Sequence, residues 1–423
     1  MTCQTFATTG LPPKQTMFLW LRHWRSDRER KVWTSDRCLR SDNNAGKRLA
    51  FSLAFLLLFA CCGARGQAQT ADAFAVPDFV QFRNPLIDAD FPDPTVIRAG
   101  DGLFYAYATQ SLVDGKLQHI QVARSIDLIN WQQLPDALPE KPVWADNSEP
   151  KFWAPHVSYA DGKYFMYYSA DPNVQTGLCL GVAVAEKPEG PFKDSGKPLK
   201  CGKSFVNIDP MQFDDPRTGK RLLYWGSGFE PIKVQELARS RTEFAPGSKP
   251  VELVAPIKDE NPNNYQRLVE GAWVIYRRGF YYLFFSGDNC CGERAHYGVM
   301  VARSKNAMGP FQTLAQATER RDSVILAKSD QWMAPGHNSV IRDNGGQDWI
   351  FYHAIKSDNR LLPNNGVAGD RSDRRVMLAS RLIYRNGWAS VATGKPIAGF
   401  QSAPNVYKGT KLNERRRTNS NQR

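Results

Sequence analysis

The sequence predicts an all-β chain folded as a five-bladed β-propeller over residues 75–400, and three observations predict it. The same order of short strands recurs five times, at intervals of 55 to 67 residues, which is the spacing of propeller blades. Gly-containing turns split the apolar runs at hairpin distances, and residues 80–400 carry no long stretch of helical periodicity.

In chain order the five repeats open with PTVIRAGDGLFYAYATQ, PHVSYADGKYFMYYSA, PMQFDDPRTGKRLLYWGSG, GAWVIYRRGFYYLFFSGD and NSVIRDNGGQDWIFYHA. Each reads as an apolar strand, a turn and an aromatic-rich strand. Four are followed by a third strand of related sequence, QVARS, GVAVA, VMVARS or VMLAS; the third repeat diverges, with VQELARS. Aromatic and β-branched residues suit a pleated, half-buried surface, and Asp-Gly, Arg-Gly and Gly-Gly supply the tight turns. A β-sandwich would need fewer strands and a β-helix shorter repeats, so both rank below the propeller.

The ends read differently. Residues 1–46 are an extension rich in Arg and Trp without periodicity, as expected if the start lies too far upstream. Lys47-Arg48 followed by LAFSLAFLLLFACCGARGQAQT has the basic start, short apolar run and small-residue exit of a signal peptide, over residues 47–69. The run is too short to span a bilayer, which takes roughly 20 apolar residues. Export to the periplasm or outside the cell is the expectation, with lipid anchoring at Cys61 as the minor alternative. Residues 401–423 read as a basic, disordered tail. Of the formal charge of +13, residues 1–48 carry +6 and residues 407–423 carry +5, so the body is near neutral. Nucleic acid is therefore not an expected partner, nor is a stable membrane span expected, and the chain reads as a monomer. Four cysteines remain after export, Cys179, Cys201, Cys290 and Cys291. An oxidising compartment allows Cys179 to bridge Cys201 and Cys290 to close on Cys291, with free buried thiols as the alternative.

Aligning the repeats places one equivalent position just before each first strand, held by Asp93, Ala154, Asp209, Glu270 and His337. First strands of a propeller line its central channel, so residues in one slot converge from different blades. Asp-Pro also occurs at Asp171 and Asp215, but within turns, where a solvated Asp is ordinary. The proline after Asp93 and after Asp209 biases each toward extended backbone. Three carboxylates facing one cavity repel, which drives their pKa values apart and separates a protonated acid from an ionised base. Glycoside hydrolysis needs that pair. Trp153 and Phe91, beside the slot, are candidates for stacking on a sugar face, with core packing as the competing reading. His337 is the slot's fourth ionisable occupant.

These residues resemble glycoside hydrolase family 43. NPLIDADFPDPTVI at 84–97, WAPHV at 153–157, IDP at 208–210, VEG at 269–271 and PGHNS at 335–339 follow that family's order and spacing over residues 80 to about 400. The resemblance implies inversion of anomeric configuration, with Asp93 as general base, Asp209 as the group that orients and tunes the acid, and Glu270 as general acid. It implies no cofactor for the chemistry, but a structural calcium or sodium ion in the central channel that His337 would contact directly or through water, with channel waters and no ion as the alternative. His156 departs from the acidic residue often found after Trp-Ala-Pro. The segments NYQRLVEGAWV and SGDNCCGERAHYGVMVARS look most like arabinan-directed members, so the expected substrate is an α-L-arabinofuranosyl linkage in a polysaccharide or oligosaccharide. A β-xylosidase or galactan-directed enzyme is the runner-up. A binding-only propeller would be favoured by loss of one acid, and none is lost; a protein-interaction scaffold would leave the slot indifferent to charge.

Overall fold

A computed structural model describes residues 80–146, 151–174, 177–226, 228–361 and 373–406. The expected extension, signal peptide and Cys61 lie outside the described residues. Five antiparallel sheets follow one another along the chain, each with four strands in sequential order; a fifth short strand, Lys200–Cys201 in the second sheet and Val324–Leu326 in the fourth, pairs with the third strand. The four strands of blade 1 are Thr95–Arg98, Phe104–Ala108, Gln121–Ser125 and Gln132–Gln133, and those of blade 2 are Trp153–Ala160, Lys163–Ala170, Cys179–Ala185 and Lys193–Asp194. Blade 3 holds Met211–Asp214, Arg221–Trp225, Ile232–Glu236 and Val251–Val254. Blade 4 holds Val269–Arg277, Phe280–Asn289, His296–Ser304 and Gln312–Thr313, and blade 5 holds Trp332–Arg342, Asp348–Lys356, Arg375–Arg385 and Trp388–Val391. The five-bladed propeller expected from the repeats is the fold observed.

The hairpin turns form as the sequence implies. Asp161-Gly162 and Arg278-Gly279 both have positive φ at each turn residue, 50° and 78° in both cases, the twist that matches two antiparallel strands. Second strands are the most buried, because they face neighbouring blades on both sides. Tyr107, Tyr167, Tyr224 and Tyr282 sit there with rings wholly buried. Their hydroxyls donate outward to the next blade, at the carbonyls of Pro188, Arg241, Ala307 and Gly387 respectively. Each such side chain contributes about 1.5–3 kcal/mol through burial of its ring, and its hydroxyl leaves no orphaned polar atom at the seam.

The ring is closed by the chain's two ends. The Leu86 and Phe91 amides donate to the Met377 and Arg375 carbonyls of blade 5, both at 2.7 Å, just before the chain enters blade 1. Gln81–Phe82 pairs antiparallel with Gln401–Ser402, so ordered structure extends past residue 400 into what read as tail. The two-strand pairing overrides the tail's polarity because Phe82 packs on Trp349, with ring centroids 6.0 Å apart. Phe91 is fully buried in the same cluster with Val96, Phe351 and Met377. It is a core residue rather than a sugar platform, since its position against blade 5 leaves no face open. Among the described residues no helix is long and apolar enough to cross a membrane.

Candidate active site

A recurrent backbone device builds the slot. Asp93, Ala154, Asp209 and His337 have φ of 57°, 46°, 57° and 49°, so all four sit in the left-handed region. The extended conformation expected before proline is therefore overturned at Asp93 and Asp209. What holds this costly conformation is a side chain from the preceding blade that accepts each residue's amide hydrogen. Asp93 donates to His353 Nδ1 at 3.1 Å, Ala154 to Thr109 Oγ1 at 2.8 Å, Asp209 to Ser169 Oγ at 3.1 Å and His337 to Ser286 Oγ at 2.8 Å. Thr109, Ser169, Ser286 and His353 hold one position in the repeat, in the latter half of a second strand or, for Thr109, just past it.

Blade 4 departs from the pattern. There the left-handed residue is Gly271, with φ 61°, and Glu270 stands one residue ahead of the slot. Blade 3 offers Gly226 where the other blades offer a hydroxyl or imidazole, so no second-strand side chain reaches the Gly271 amide. Asp209 Oδ2 accepts it instead, at 3.0 Å. The same hydrogen bond fixes the Asp209 carboxylate beside the residue that follows Glu270. A Cβ at position 271 would stand 3.4 Å from the His337 ring in a left-handed backbone, which favours glycine there.

Asp93, Asp209, Glu270 and His337 together line a cavity of about 520 Å³, as the aligned slot implies. Trp153 lines it too, half-buried. His337 Nδ1 lies 3.4 Å from Asp93 Oδ1 and 3.8 Å from Asp209 Oδ2, so the imidazole spans two of the acids. Burial pushes the His337 ring below its ordinary value, against the pull of Asp93. His156 is buried instead against Trp273, ring centroids 5.2 Å apart, and burial lowers its pKa to about 3, so it is a neutral core residue.

Environment separates the carboxyls. Burial would raise Asp93, but the Arg375 guanidinium, with His337 adding to it, holds the group well below the usual carboxylate range. Arg375 Nη1 stands 3.2 Å from Asp93 Oδ1, and the Thr109 hydroxyl donates to Oδ2 at 2.6 Å. Asp209 goes the other way: burial first, then the charges of Glu270 and Asp93, push it well above that range. Glu270 accepts from the buried Tyr297 hydroxyl at 2.7 Å, and the Tyr297 ring stacks parallel to His353 at 5.8 Å. One carboxylate held ionised and another pushed toward its protonated form in a single cavity is an acid–base arrangement.

The sequence missed Arg375, Thr109, Tyr297 and His353. The second-strand column of Thr109, Ser169, Ser286 and His353 was present in the aligned repeats as a polar position amid apolar ones. Nothing distinguished Arg375 from its neighbour Arg374. Cys179 and Cys201 form the expected disulfide, on paired strands. Cys290 and Cys291 are free thiols at the cavity wall, without the vicinal bond. Calcium takes six to eight oxygen ligands. Here the His337 Nδ1 is directed at the Asp93 and Asp209 carboxylates, and among the described residues no group of three or more His, Cys, Asp or Glu side chains converges as a metal cage. Among the described residues the side chains by themselves do not supply that oxygen shell.

Residues 82–389 match the sequence model of glycosyl hydrolases family 43. An extracellular endo-α-(1→5)-L-arabinanase 1 of Bacillus subtilis (strain 168) is 28% identical over 309 residues, 70% of this chain and 86% of the relative. A β-D-galactofuranosidase xynD of Aspergillus niger is 29% identical over 287 residues, 64% of this chain and 75% of the relative. The crystal structure of a thermostable family-43 glycoside hydrolase superposes with a TM-score of 0.60 at 26% identity, covering 76% of this chain and 99% of that one.

Proposed function

The chain belongs to glycosyl hydrolases family 43, and from that membership we propose that it is an exported, inverting glycosidase acting on α-L-arabinofuranosyl linkages of arabinan or arabinose-containing oligosaccharides. The observation that supports the mechanistic part is geometric: Asp93, Asp209 and Glu270 line one cavity in which Arg375 stands 3.2 Å from Asp93 alone, a placement that lowers Asp93 and leaves Asp209 raised. Asp93, kept ionised by Arg375, is the general base that takes a proton from the attacking water. Glu270, anchored by Tyr297, is the general acid that protonates the leaving oxygen. Asp209, which resists ionising beside Glu270, keeps a proton in that half of the cavity and orients the acid through the Gly271 amide. Proton donation to the leaving group and proton removal from water on the opposite face together produce inversion. No step runs through a metal ion.

The choice of arabinofuranoside is supported by the arabinanase likeness and by the two motif segments around Glu270 and Tyr297. A second reading, cleavage of a different furanoside, is favoured by the galactofuranosidase relative. The test is hydrolysis by the full chain of p-nitrophenyl α-L-arabinofuranoside, p-nitrophenyl β-D-xyloside, p-nitrophenyl β-D-galactofuranoside and debranched arabinan, with Asp93→Ala as control. Release from the arabinoside that disappears in the control is the expected result. Cleavage of only the xyloside or only the galactofuranoside keeps the mechanism and replaces the substrate.

A further inference from the structure

Two aromatic side chains outside the repeat slot also face the cavity. Phe205, in the segment between blade 2 and Asp209, and Phe229, between the second and third strands of blade 3, line it beside Asp209 and Glu270. Their rings meet edge to face, with centroids 5.9 Å apart and planes at 71°. Phe229 is 62% exposed. Among the described residues only Tyr159 and Phe400 are aromatic side chains of comparable exposure, and neither lines this cavity.

The chain holds Phe229 out at a cost. Its φ is 61°, a left-handed conformation that a bulky side chain rarely adopts and that costs roughly 1–2 kcal/mol. It does not float there. Gly228 lies so close to Val206 that a Cβ would come within 2.7 Å of the valine side chain, so the loops carrying the two rings interlock. The Cys179–Cys201 disulfide clamps the base of the Phe205 loop, the Leu178 amide donates to the Ser204 carbonyl at 2.7 Å, and Asn207 accepts from the Trp225 indole at 3.2 Å. A strained backbone, an apolar ring in water and a rigid mount at the mouth of a reaction cavity together call for an occupant with an apolar face.

We propose that Phe205 and Phe229 form the platform for the sugar unit adjoining the one held over Asp93 and Glu270, so that the site grips two or more linked units. This rests on the glycosidase reading above. The occupant follows from continuity with the catalytic cavity: a further sugar unit on the side of the scissile linkage away from the leaving group, reaching past Asp209, meets these rings. A sugar ring presents C–H groups on one face and hydroxyls at its edge, which suits a ring platform open to solvent. An anionic occupant is disfavoured by the neighbouring Asp93, Glu270 and Asp288.

The experiment compares Phe229→Ala and Phe205→Ala/Phe229→Ala with the unaltered full chain on α-1,5-L-arabinotriose and on p-nitrophenyl α-L-arabinofuranoside. The ratio of kcat/KM for the trisaccharide to that for the aryl glycoside is expected to fall about tenfold, the equivalent of about 1.4 kcal/mol, and to recover in Phe229→Trp. A ratio unchanged within twofold in both variants overturns the platform. Loss of both activities together in a variant that melts early would report misfolding, so Phe229→Tyr, which keeps the ring, is measured alongside and is expected to retain the ratio. If the unaltered chain ignores arabinosides, the substrate reading fails on its own. The platform is then judged by the same ratio on the trisaccharide and aryl glycoside of whichever sugar is cleaved.

Discussion

Replacing Arg375 by methionine removes a guanidinium 3.2 Å from Asp93 Oδ1 while keeping most of the side-chain volume. At that distance and an effective dielectric near 20, the attraction is about 5 kcal/mol before desolvation. Both side chains are largely shielded, at 17% and 10% exposure, so solvent screening removes little of it. Breaking a buried pair by deleting one member typically costs about 3–5 kcal/mol, because the other charge is left without compensation. At about 2–3 °C per kcal/mol for a domain of this size, Arg375→Met should melt about 6–15 °C earlier at pH 7. Asp93→Asn alone strands the guanidinium and also destabilises. The double variant, with neither charge, should recover most of the loss, giving a coupling energy of about 2 kcal/mol or more by urea unfolding. The pH dependence carries a definite sign. Asp93 is held below its unfolded-state value, so its stabilisation is present above about pH 4 and is lost as pH falls from there toward the folded-state value. The gap between wild type and Arg375→Met should therefore narrow in acid. A coupling energy within 0.5 kcal/mol of zero would refute the pairing as what keeps the base ionised.

Glu270→Gln is expected to cut hydrolysis of arabino-oligosaccharides by at least about 10²-fold while costing p-nitrophenyl arabinofuranoside much less, because a phenolate departs with little help from an acid; equal losses on both would remove the acid assignment. Asp209→Asn has the opposite stability sign to the Arg375 case. The folded-state value of Asp209 is raised, so its contribution is present below about pH 4 and lost as pH rises through the folded-state value, leaving a buried carboxyl that weighs against the fold at neutral pH. The asparagine variant should be less active yet melt a few degrees later at pH 8, by about 1 kcal/mol, with the advantage gone near pH 4; earlier melting at pH 8 would contradict the electrostatic picture.

The fold was legible because it is a repeat: five copies of one strand order reinforce one another, so the divergent third copy did no harm. The same alignment brought Asp93, Asp209 and His337 to one slot, and the structure unites them in one cavity. Glu270 was found by the alignment with a one-residue error. The left-handed position of blade 4 belongs to Gly271, and a single-residue shift is invisible when the local sequence is scored by strand pattern alone. Phe91 was ambiguous because an aromatic residue beside a slot carboxylate has the same local signature whether it packs inward or faces a cavity, and only the blade 5 strand laid across it decides.

What the sequence by itself determined was periodicity and chemistry: the number of blades, the strand order, and which blades contribute an ionisable side chain near the axis. These are properties of neighbouring residues and their recurrence, fixed by strand geometry and turn stereochemistry. Tertiary structure alone decided the ionisation of each acid. Arg375 reaches Asp93 across 282 positions of chain, and the Gly271 amide reaches Asp209 across 62. A pKa responds to the distance and burial of charges in space, and the register that sets those distances exists only once the ring has closed.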